Sequence, residues 1–188
     1  MTPRILDEWR NEWRLKRGAV AFVESLVAEP DVGDVAWLAA LATGGDEDRA
    51  RWELRYARRA LGLLVAQRDA LDDRTGSAVA RELANALLHD PHVAAGRVKI
   101  AERQFNDRLA AYREILSTRT PTEGTGARLG RTLLHLAGMP GVADEAQVAR
   151  AGDTLVRQLG DANESLRKAF GTASLPEDVP PSTVSRNG

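Results

Sequence analysis

The chain contains no cysteine. Disulfide bridges, thiolate zinc sites, iron–sulfur ligation and thiol nucleophiles are therefore excluded together, and the composition is compatible with a reducing compartment. An excess of charge of one sign is also missing, because 26 basic residues stand against 27 acidic ones for a formal net charge of -1. Such a balance lacks the global field on which non-specific nucleic-acid and anionic-membrane binders rely, and leaves only local patches for that work. No uncharged apolar run reaches the roughly 18 residues of a membrane span. Arg4, Asp7 and Glu8 occupy the place of a secretory apolar region. A cytoplasmic protein without a membrane partner is expected. No stretch alternates β-branched and polar residues between turn signals, and no glycine-rich loop follows an apolar run, so neither strands nor a phosphate cradle is predicted.

What is present is helical periodicity. The 188 residues are 43% hydrophobic and 28% charged, enough for one well-buried core. The expected organisation is a single helical-bundle domain over 1–171 and a flexible tail over 172–188. The tail is read from Leu175-Pro176-Glu177-Asp178-Val179-Pro180-Pro181, three prolines without an apolar period. Pro3 opens a first helix to about Ala28, with Leu6, Trp9, Trp13, Val20 and Val27 on one side and Lys16 interrupting. Its half from Gly18 to Val23 is expected to be buried, and its charged, tryptophan-bearing half to extend from the body. Asp31 or Asp34 caps a short second helix with Val35, Trp37, Leu38 and Leu41, and Asp46 caps a long third one.

Leu71 to Ser77 reads as a corner into a fourth helix over Ala78, Val79, Leu83, Ala86 and Leu87. At Asp90-Pro91, Asp90 is expected to cap a fifth helix and Pro91 to take its first position. That helix carries Ala94, Val98, Ala101, Phe105, Leu109, Tyr112 and Leu116 in one stripe, with Lys99, Glu102, Arg103, Asn106 and Arg113 facing away. Ser117 to Gly126 reads as a hinge. Leu129, Leu133 and Leu136 mark a sixth helix, and Val148, Leu155, Leu159, Leu166 and Phe170 a seventh from Asp144 to Phe170. Short corners between these elements predict an all-α protein, an elongated antiparallel helical bundle of about six to seven helices with an extended C-terminal tail.

The third helix, Arg49 to Asp73, has two apolar faces. Ala50, Leu54, Ala57, Leu61, Leu64 and Leu71 fall in one sector, with a gap at Arg68. At about 100° per residue, Trp52, Tyr56, Leu63 and Ala70 lie on the far side, beyond a wedge of Arg51, Arg55 and Arg58. One amphipathic helix resting on one core needs only one face, so this helix is either sandwiched between neighbours or half of a subunit interface.

Residues able to carry chemistry are few. Asp69, Asp72 and Asp73 fall at i, i+3 and i+4, where carboxylates on one helical side can hold Mg²⁺ for a diphosphate substrate. The cluster faintly resembles the aspartate-rich motif of all-α prenyl-diphosphate enzymes. Those enzymes need a second acidic site, which Asp161-Ala162-Asn163-Glu164-Ser165 matches poorly, so caps and arginine partners are the expected roles. His89-Asp90 lacks the upstream histidine of a metal phosphohydrolase and reads, with His92, as a helix stop bearing two exposed histidines. His135, between leucines, is expected to bond a carbonyl. No Glu-x-x-His pair and no Gly-x-Ser-x-Gly elbow exists.

No catalytic set, metal or cofactor is assigned. The chain reads as a non-enzymatic interaction or scaffold protein that assembles with itself or with a helical protein partner. Its candidate interface is Trp52, Tyr56, Arg51, Arg55 and Arg59 together with Arg58, and a second patch joins Trp9 and Trp13 to Arg10, Arg14 and Arg17. Arginine and aromatic side chains dominate interface energetics and also stack on and neutralise nucleic acids. The alternative is a small-ligand or nucleic-acid-binding regulator using the same side chains. Against the nucleic-acid form stands the lack of a compact recognition helix after Gly44-Gly45. A third reading is an Mg-dependent enzyme acting on a diphosphate through the aspartates.

Overall fold

Aspartates open three of the helices. In a computed structural model that describes residues 3–70 (side chains from 8), 73–94, 96–118 and 122–171, Asp31, Asp46 and Asp144 each accept the N–H three residues on, at 3.0, 3.0 and 2.8 Å. Gln147 returns the contact to the Asp144 N–H, completing a capping box. The described residues form α1 (Pro3–Leu26), α2 (Val32–Ala42), α3 (Glu47–Asp69), α4 (Asp73–Leu88), α5 (Val98–Ser117), α6 (Thr125–Ala137) and α7 (Glu145–Phe170), with no strand among them. The protein is an all-α bundle. No helix among the described residues is long and apolar enough to cross a membrane.

α3 runs through the middle and touches every other helix. Ala50, Leu54, Ala57, Leu61 and Leu64 are buried, and so are Tyr56 and Leu63 on its far side. Its two apolar faces thus meet different neighbours in the same chain. Full burial of a leucine such as Leu61 contributes roughly 2 kcal/mol. α6 lies directly against α7, backbone on backbone. A Cβ at Gly130 would collide with the Val148 carbonyl and the Gly152 N, and one at Gly152 with the Gly126 carbonyl.

α1 turns inward a different face from the one its tryptophans mark. Ala19, Phe22, Val23 and Leu26 are buried, whereas Val20 is exposed. Small residues decide this. Gly18 leaves room for Phe170 of α7, and Gly62 of α3 leaves room for Leu26. The charged half of α1 does not leave the body but runs beside α4, with a groove between Trp9, Trp13 and Lys16 on one wall and Ala78, Glu82 and Asn85 on the other.

Two expected boundaries move. The α3–α4 break begins at Ala70, so Thr75 and Gly76 are buried in the first turn of α4 rather than forming a corner. The fifth helix starts at Val98 with Arg97 before it; Pro91 sits in a turn and Ala94 precedes the helix. Asp90 caps no helix because it is drawn inward to Arg59. Leu71 and Asp72, part of the expected hinge (119–121) and the expected tail (172–188) lie outside the described residues.

Candidate functional site

The far side of α3 is an ionic layer inside the bundle. Arg55 Nη2 donates to Glu29 Oε1 at 2.6 Å, from the turn after α1. One turn on, Arg59 Nη2 donates to Asp90 Oδ2 at 2.6 Å, from the turn after α4. Glu53 accepts from Arg108 of α5 through two N–H groups, Nε at 3.0 Å. Tyr56 lies against Trp52 with ring centroids 5.3 Å apart and donates its hydroxyl to Gln104 Oε1 at 3.1 Å. The guanidinium of Arg55 stands 4.9 Å from the Trp52 ring centre, and that of Arg108 is 5.5 Å from Tyr56.

Burial sets the electrostatics of this layer. It raises the pKa of Asp90, but the His92 N–H at 2.9 Å and the Arg59 guanidinium outweigh it and hold that carboxyl below its usual range. Burial likewise pushes the Tyr56 and Tyr112 phenols up. Both therefore stay neutral at any physiological pH, and neither is poised as a base.

Tyr56, Arg55 and Arg59, expected on an interface, are each only about 3% exposed. They belong to the chain's own interior, Trp52 is half-buried, and Arg51 reaches Glu47 at 3.7 Å along the helix edge. The sandwiched alternative therefore describes α3 at Arg55, Tyr56 and Arg59.

No protein family, curated protein sequence or solved structure matches this chain.

The aspartate cluster does not assemble on one helical side. Asp69 ends α3 and is held by Arg68 through two bonds of 2.7 Å, while Asp73 begins α4 across the break and Asp72 lies outside the described residues. His89 is exposed with Nδ1 2.9 Å from the Asn85 carbonyl, and His92 is exposed with Nε2 3.6 Å from Glu29 Oε1. His135 is exposed too, rather than turned to a buried carbonyl.

Trp9 and Trp13 are the other patch, and there the expected exposure is present: Trp9 is 64% and Trp13 50% exposed, one turn apart on α1. Arg17 covers part of Trp13 at 4.6 Å. The two remaining tryptophans are half-buried, Trp37 beneath Arg150 at 4.5 Å and Trp52 beneath Arg55. Glu53, Gln104 and Arg108 escaped the sequence reading. Arg108 left a signal, since it falls three residues after Phe105 and four before Tyr112, on the core stripe of α5.

Proposed function

We propose that this is a non-enzymatic interaction protein that associates through α1 with a second copy of itself. The observation that carries the reading is the exposure of Trp9 and Trp13 one turn apart, beside a groove of about 500 Å³ between α1 and α4. Large aromatics left in solvent on an otherwise well-buried fold mark contact sites. Val20, also exposed, continues the line at helical spacing, so the seam suits a helix laid alongside. Lys16 interrupts that seam and favours an antiparallel pair. Such a pair brings each Lys16 near Trp13 of the partner subunit, a cation against an aromatic face, whereas a parallel pair would set the two lysines together. A cytoplasmic setting belongs to the same proposal and is compatible with the absence of cysteine.

Sedimentation equilibrium over a concentration series tests it. Wild type is expected to move from monomer to dimer as concentration rises, and Trp9→Gln/Trp13→Gln to stay monomeric with unchanged helical circular dichroism. A wild type that is monomeric at its highest soluble concentration overturns self-association. A double variant that dimerises like wild type overturns α1 as the surface.

A further inference from the structure

α7 ends in a groove that is lined by cations and by no carboxylate. About 680 Å³ in volume, it lies where the end of α7 and the first turn of α4 meet α1, and Arg14, Arg17, Arg74 and Lys168 line it with Leu15 and Phe170 among them. Two of these cations are matched by acids outside the groove. Arg74 reaches Glu12 at 3.7 Å and Lys168 reaches Glu164 at 2.6 Å, all four side chains at least 65% exposed. Arg14 and Arg17 are exposed and make no ion pair among the described residues; Arg17 lies over the Trp13 ring, which neutralises no charge.

The sequence supplies a matching pair of acids close by. Phe170 packs so tightly on Gly18 of α1 that a Cβ there would collide with its ring, and Gly171 follows directly. The chain therefore leaves α7 beside the groove, one turn of α1 from Arg14 and next to Arg17. Glu177 and Asp178 come six and seven residues after Gly171. Six extended residues span up to roughly 20 Å, several times the roughly 5.4 Å of one helical turn, so both acids reach back to α1. Two unmatched cations thus stand within reach of two adjacent acids. A tether this short holds them at an effective concentration on the order of millimolar, which favours them over dilute free anions.

We infer that residues 175–179 dock in this groove of their own chain, with the carboxylates of Glu177 and Asp178 accepting from the guanidinium groups of Arg14 and Arg17. Leu175 and Val179 flank the acids, and Leu15 and Phe170, both half-buried, offer them apolar surface to cover. Arg74 and Lys168 add attraction, because their exposed pairs with Glu12 and Glu164 are weak and hold them only loosely. Neither Trp9 nor Trp13 lines the groove, so the docking is independent of self-association through the tryptophan seam.

Carbodiimide cross-linking of the full chain tests this, since Lys16, Lys99 and Lys168 are its only lysines. Arg14→Lys keeps the charge and places an amine in the groove. A link from position 14 to Glu177 or Asp178 is expected, about ten-fold or more above any from Lys99 on α5, and within one chain when isotopically light and heavy protein are mixed. Amide resonances give a second measurement without the added lysine. Glu177→Gln/Asp178→Asn is expected to shift residues 11–18 and leave α5 unmoved, and inorganic phosphate to shift residues 11–18 only in that variant. No link from position 14, or equal links from Lys99, overturns the proposal. Links joining light to heavy chains overturn it in favour of the same segment of a second copy. Equal phosphate shifts in wild type and variant overturn it in favour of an anion from outside.

Discussion

α1 and α3 carry nearly the same local sequence and put it to opposite uses. Each has two aromatic residues four positions apart with arginines beside them, Trp9 and Trp13 among Arg10, Arg14 and Arg17, and Trp52 and Tyr56 among Arg51, Arg55 and Arg59. On α3 Tyr56 and two arginines lie inside the bundle and Trp52 is half-buried against it; on α1 both tryptophans are in solvent. The difference lies in what the neighbours bring. Turns after α1 and α4 deliver Glu29 and Asp90 to the arginines of α3, and α5 delivers Gln104 and Arg108 to Tyr56 and Glu53. The helix beside the tryptophans of α1 offers Arg81, Glu82 and Asn85 across an open groove, and both indoles stay in solvent. An arginine–aromatic pair is therefore neither a core mark nor a surface mark by itself. It goes inside when other segments supply its acceptors.

The comparison breaks most severely at Asp90. Asp90→Ala leaves Arg59 buried without its acid and is expected to cost about 3–5 kcal/mol in urea unfolding. Arg59→Met/Asp90→Leu should recover most of that, since an apolar pair of similar volume strands no charge. On α1, Glu12→Ala removes an exposed 3.7 Å contact to Arg74 and should cost no more than about 0.5 kcal/mol. Equal losses at Asp90 and Glu12 would erase the distinction between the two helices.

Acid should act through the same carboxylate. Asp90 has a folded pKa below its unfolded value of about 3.9. Its contribution is then complete above that unfolded value and is lost as pH falls from there through the folded one. Unfolding free energies at pH 6 and pH 3 should therefore differ less in Asp90→Asn than in wild type. An identical acid loss in both proteins would assign acid sensitivity to other carboxylates.

Tyr56→Phe probes a smaller part of the layer. It removes only the bond to Gln104 Oε1, so a loss of about 1 kcal/mol is expected, with the Trp52 contact intact. No loss would mean that water replaces that bond at the rim of the layer.

The helices themselves were legible in the sequence because capping and periodicity are local. Asp31, Asp46 and Asp144 announce starts, and the stripe on α5 from Ala101 to Tyr112 is buried as its spacing predicts. What the sequence could not give was which of two competing faces would turn inward, because that depends on distant residues. Val20 stays outside the core that Ala19, Phe22 and Val23 enter, and on that inward side Gly18 meets Phe170 and Leu26 meets Gly62. Asp90-Pro91 reads as a helix start at short range, and a cation 31 residues earlier outcompetes that role. The aspartate cluster failed for a related reason: its i, i+3, i+4 geometry needs an unbroken helix, and α3 ends at Asp69.

Substitution also separates the two tryptophan sites. Trp52 is half-buried between Arg55 and Tyr56, so Trp52→Ala should cost about 2–3 kcal/mol, somewhat less than truncating a fully buried aromatic. Trp9, 64% exposed, should tolerate Gln at under about 1 kcal/mol, because an exposed substitution on a helix removes little buried area and Gln keeps helix propensity. Urea unfolding at a protein concentration too low for association isolates this term from any dimer contribution. At higher concentration the Trp9 variant should lose the additional stability that association gives wild type. If Trp9→Gln instead costs as much as Trp52→Ala in the dilute sample, Trp9 is held by α4 as part of the fold, and α1 has no spare face to offer a second copy.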